Sequence, residues 1–150
     1  MHEPLLQEPA RLGRRPLYSM LAQFPAVLFT GALATDLAYW KTAEFMWETF
    51  SVWLLAAGCL LAVPAGLVGL GYFVGQRRLR AGALAWIHAA ASLAAVALSV
   101  ANAFVHSRDG YTAVVPDGLT LSAAAVLSMA VAAWAGWTRP LAAARSGAAA

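Results

Sequence analysis

Four long apolar runs divide this 150-residue chain, and they leave it few ways to fold. They are Leu17–Trp40, Thr49–Gly75, Ala81–Val105 and Gly118–Thr138. Each holds about 20 residues or more, enough to cross about 30 Å of hydrocarbon as a helix rising 1.5 Å per residue. Composition excludes the soluble alternative. The chain is 61% hydrophobic and 11% charged, against about 25% charged in a soluble domain. So few charges cannot cover so much apolar surface in water. In a bilayer, lipid solvates the outer face. The expected fold is therefore all-α: an integral-membrane antiparallel four-helix bundle.

The charges between the runs set the orientation. Arg11, Arg14 and Arg15 precede the first run, Arg77, Arg78 and Arg80 separate the second and third, and Arg139 and Arg145 follow the fourth. Only Lys41 and Arg108 fall in the other two loops. Eight of the ten basic residues thus share one side, which the positive-inside rule makes cytoplasmic. Both termini are expected there. The inner side carries a net +6 with Glu3 and Glu8, and the outer side a net −3. Such basicity marks orientation and contact with anionic lipid, not a nucleic-acid groove.

The expected organisation is a cytoplasmic lead over 1–16, a transmembrane domain over 17–138 and a flexible small-residue tail over 139–150. The first run is too long for the apolar region of a cleaved signal and reads as an anchor. Tyr39 and Trp40, then Trp47, Phe50 and Trp53, are aromatics of the headgroup level. The second run would reach about 40 Å if straight, which predicts tilt or a bend. Pro25 and Pro64 are candidate kinks. Gly58, Gly66, Gly71 and Gly75 are candidates for close helix packing, the last two forming a GxxxG pair. Gln76–Arg80 is a tight basic turn that makes the second and third helices antiparallel neighbours. No repeating motif is visible, only two hairpins. Cys59 has no intramolecular partner and reads as a small hydrophobe.

Polar residues at membrane depth are functional candidates because their burial in lipid is costly. Counting at 1.5 Å per residue puts Gln23 and His88 at similar depth in the inner leaflet. A hydrogen bond between them would contribute about 0.6 kcal/mol. Asp36, Asn102 and His106 share a depth near the outer face, where an ionised Asp36 could accept a hydrogen bond from either neighbour or be hydrated at the headgroups. No nucleotide loop, metal-binding helix motif or hydrolase elbow is present, and no Ser, His and acid converge on one depth, so no catalytic residue is assigned.

The motifs Arg15-Pro16, Gln23-Phe24-Pro25, Pro64-Ala65-Gly66 and Ile87-His88-Ala89-Ala90, with Asp36 and Arg80, occur in that order among the apolar runs. In this the chain resembles the bacterial predicted membrane proteins grouped as domain of unknown function 2231, over roughly Pro16 to Trp137. In that family a His-Pro pair opens the first helix and a His-Phe-Pro motif follows. The resemblance implies that two inward histidines on facing helices could hold haem b. Here Arg15 and Gln23 stand where those first-helix histidines would be. That leaves His88 as the cofactor-binding candidate, with Met20 or Met129 as a soft second ligand. His88 and His106 are about 27 Å apart along one helix and cannot share one iron. Three functions follow: an accessory or structural subunit acting through helix packing, which the missing histidines favour; a haem-bearing redox subunit; and an oligomeric small-solute transporter. The expected partners are the lipid bilayer, other membrane subunits or a second copy, with no nucleic acid.

Overall fold

The computed structural model describes residues 16–75, 82–108 and 114–147. The lead over 1–15 and the turn Gln76–Arg80 lie outside the described residues. Four helices follow in order: α1 (Pro16–Thr42), α2 (Phe45–Gly75), α3 (Ala83–His106) and α4 (Leu119–Gly147). A short irregular segment, Val114–Gly118, leads into α4, with Val115 extended at φ −123°, ψ 122°. All four helices are long and apolar enough to cross a membrane.

Two boundaries differ from expectation. α2 begins at Phe45, four residues ahead of the apolar run, and so takes Glu48 into its first turn. α4 stays helical to Gly147, past the expected start of the tail at 139. Its last residues are Ala-rich, and alanine is the strongest helix former. α1 and α2 are joined by Ala43 and Glu44 alone. Ala43 takes a left-handed conformation, φ 53°, which costs an L-residue about 1–2 kcal/mol. Its N–H donates to the Tyr39 carbonyl at 2.8 Å, closing the helix end. Pro25 and Pro64 sit inside unbroken helices, as neighbouring spans in a membrane allow.

The distribution of side chains is inverted relative to a soluble protein. Leu60, Trp53 and Leu93 are about 70% exposed. Asp36, Glu48, Ser51, Ser99, Asn102, His106 and Ser122 are all buried. An apolar outside and a polar inside fit a protein dissolved in lipid, and the molecule is a multi-pass membrane bundle. α1 packs on α2 and α3 on α4, and the two hairpins meet along α1–α4 and α2–α3. α1 and α3 therefore lie diagonally across the bundle. The apolar core is Phe29, Ala32 and Leu55, with Leu54, Cys59, Ala103 and Met129 against it.

Burial follows a spacing of alternating three and four. On α2 the buried positions are Glu48, Ser51, Leu55, Gly58, Ala62 and Ala65. That is the seam of a left-handed bundle. The same seam recurs 70 residues on. Pro25, Phe29, Ala32 and Asp36 of α1 match Ala95, Ser99, Asn102 and His106 of α3, all buried. Glu48, Leu55, Ala62 and Ala65 match Gly118, Ala125, Ala132 and Ala135, again all buried. The counterparts of Ser51 and Gly58, Leu121 and Ser128, are half-buried, so the second half of the bundle repeats most of the first as a doubled hairpin. The chain carries no repeated motif because the paired residues differ in kind: Phe29 against Ser99, Ala32 against Asn102, Asp36 against His106.

Candidate functional site

The buried polar residues gather at the end of the bundle that carries the α1–α2 turn. Asp36, on the last turns of α1, is 0% exposed. All three other helices supply it with a donor. Ser51 of α2 donates to Oδ1 at 2.5 Å, and Ser122 of α4 donates to Oδ2 at 2.5 Å. His106 Nε2 of α3 lies 3.0 Å from Oδ1. A further layer holds these groups. Asn102 Nδ2 donates to the Ser122 hydroxyl at 2.7 Å, and Thr35 Oγ1 lies 2.6 Å from the Ser51 hydroxyl.

Donor counting fixes the proton inventory. His106 Nδ1 is 3.0 Å from the Asn102 carbonyl, which can only accept, so Nδ1 carries hydrogen. Nε2 then faces a carboxylate oxygen, and a proton must lie between them. Two forms satisfy the geometry: imidazolium with carboxylate, or neutral imidazole with carboxylic acid. Both are neutral overall. Three donors on one carboxyl group favour the ion pair. Either form avoids an unpaired charge in the interior.

Two acceptor oxygens beside this pair have no hydrogen-bond partner: Glu48 Oε2 and Asn102 Oδ1. Glu48 is 3% exposed. It lies one helical turn nearer the bundle end than Ser51, within electrostatic reach of both His106 and Asp36. Its counterpart in the second hairpin, Gly118, has no side chain. Among the described residues no group of three or more His, Cys, Asp or Glu is arranged to hold a metal ion.

A second polar contact closes the opposite end. His88 of α3 reaches diagonally to α1, where the Tyr18 hydroxyl lies 3.0 Å from Nε2. Its Nδ1 donates to the Ala132 carbonyl of α4 at 2.7 Å. The Tyr18 hydroxyl can either donate to or accept from Nε2. Gly136 makes room, since a Cβ there would stand 3.3 Å from Nδ1.

The expected residues fall into three groups. Asp36 and His106 meet directly, and Asn102 joins them through Ser122. Asp36 is buried rather than hydrated. Gln23 does not meet His88: it is exposed on α1, and Tyr18 takes that place. Gln23 is five residues, about 140° of helical turn, from Tyr18, so the two cannot share a face. For a haem, His88 is already committed at both nitrogens. Met20 is exposed and Met129 packs against the apolar core. Of the packing candidates, Pro25 and Gly58 are buried. Among the described residues, Gly66, Gly71 and Gly75 make no close approach, because a Cβ added at any of them would meet nothing within 4 Å. Ser51, Ser122 and Glu48 join the Asp36 site, and Tyr18 the His88 contact, without having stood out in the sequence.

An apolar four-span bundle with a polar interior defines a small polytopic membrane protein. The chain belongs to the family described as predicted membrane protein (DUF2231), whose profile matches residues 14–144. No curated protein and no solved structure matches it.

Proposed function

We propose that this chain is a small accessory membrane subunit whose working part is the Asp36–His106 pair, a centre that takes up and releases a proton. One observation carries the reading: a fully buried acid and base, on diagonal helices, that share one proton by donor count. Ionisable groups at membrane depth are costly and mark proton relays and ion paths. A cluster serving packing alone would not need an ionisable acid and base in contact. The test is ¹⁵N-histidine spectroscopy of the chain in lipid bilayers, with His106 assigned by its Gln variant. His106 is expected to pass from doubly to singly protonated as pH rises. An imidazole fixed in one state over the whole range of stable pH would sink the proposal.

The arginine distribution supports an orientation with both termini cytoplasmic, and a bacterial inner membrane is the location we propose with it. The Asp36 centre then faces away from the cytoplasm. Reporter fusions after residue 75 should read as cytoplasmic, and fusions after residue 110 as external. The opposite pattern would reverse the placement.

A further inference from the structure

Resting on the proton-exchange reading, one residue next to the pair acquires a role of its own. Glu48 is buried, yet its Oε2 has no partner. It stands in the first turn of α2, about 4.5 Å from the helix start at 1.5 Å per residue. Asp36 lies about 9 Å from the end of α1 by the same measure. Glu48 therefore lies nearer the α1–α2 end of the bundle than Asp36 does, while His106 closes α3. Of the other polar groups of the centre, Asn102 Oδ1 also has no partner, but an amide carries no exchangeable acid proton. Ser51 and Ser122 donate to Asp36, and Ser99 donates to the Ala95 carbonyl at 2.9 Å. Towards the middle of the membrane the way is closed by Phe29, Ala32 and Leu55, each buried.

We propose that Glu48 delivers protons to the Asp36–His106 pair from the membrane face that carries the Ala43–Glu44 turn, and that the centre opens to that face alone. The Glu48 carboxylate takes a proton from hydronium, forming an O–H bond and leaving water. That O–H bond breaks as the proton passes to His106 Nε2 of a pair that has released its shared proton, an N–H bond forms there, and the Glu48 carboxylate is restored. The charged groups acting on Glu48 are His106 of α3 and Asp36 of α1; Asp117, in the segment leading into α4, is exposed. α4 itself offers Ser122, which does not titrate.

The experiment measures the rate at which the His106 proton exchanges with bulk water, by ¹⁵N-histidine spectroscopy of the full chain in bilayers. Glu48→Gln keeps the shape and removes the proton carrier. Exchange is expected to slow about a hundredfold, the scale of a lost acid–base group, while His106 still reaches both charge states. Glu48→Asp keeps a carboxylate and should stay well above the Gln rate. An unchanged rate in Glu48→Gln, with wild-type exchange intact, overturns the Glu48 role alone. Equal slowing in both variants shows a packing effect and overturns it too. A wild-type His106 that never exchanges overturns both this role and the proposed function.

Discussion

Asp36→Asn is expected to be among the most destabilising single substitutions in the bundle. The carboxyl group accepts from three side chains on three helices, and an amide nitrogen cannot accept at all. Breaking a buried pair typically costs about 3–5 kcal/mol. The expected loss lies near the lower end, because His106 can shed its Nε2 proton and keep its bond to the Asn102 carbonyl. The doubled hairpin supplies a sharper version. Asp36 and His106 occupy equivalent seam positions, and the Ala32 carbonyl stands one turn before position 36 as that of Asn102 does before 106. Asp36→His alone sets two histidines together, and His106→Asp alone sets two acids together. Both singles should unfold more readily in detergent. The double exchange should recover more than half of the loss. A double variant no more stable than the worse single would show that the two halves are not equivalent at the centre.

The second large effect concerns Gly58. A Cβ there would stand 2.5 Å from Phe29 Cε1, and Phe29 is buried in the core against Leu55 and Ala32. The ring has no room to retreat, so Gly58→Ala should cost about 1–3 kcal/mol as overpacking. Gly66→Ala is the control on the same helix. Nothing lies within 4 Å of its added carbon, and replacing a helical glycine by alanine contributes up to about 1 kcal/mol. The two substitutions should therefore shift detergent unfolding in opposite directions. Two shifts of the same sign and size would contradict the Phe29 contact.

The contrast between these glycines also shows where a sequence stops being informative. Run length and polar breaks suffice for four spans, and counting residues suffices to bring Asp36, Asn102 and His106 to one depth. Rotation about each helix axis is harder to read. Gln23 and Tyr18 are both polar and both near one end of α1, but only Tyr18 faces inward. A seam of threes and fours is present in α2, from Glu48 to Ala65, and it places Glu48 and Ser51 inside. Glu48 escapes notice because it precedes the apolar run and resembles a headgroup-level acid. Ser51 and Ser122 escape notice because a hydroxyl in a span ordinarily bonds its own helix, as Ser99 and Ser128 do. The 70-residue recurrence is a pattern of burial, not of residue type, and so becomes visible only in the folded chain.

The two diagonal contacts have a mechanical consequence. Tyr18 with His88, and Asp36 with His106, each join residues 70 apart. On each helix the two anchors are five turns apart, about 27 Å. α1 and α3 are thus riveted at both ends in a single register. A piston stroke of one helix along the other would shear both rivets together, so axial sliding is the stiffest motion of this bundle. Tilting of one hairpin against the other loads only one rivet at a time. Any movement that accompanies the proposed proton uptake should therefore be a rocking that loosens the Asp36–His106 rivet while the Tyr18–His88 rivet serves as its fulcrum.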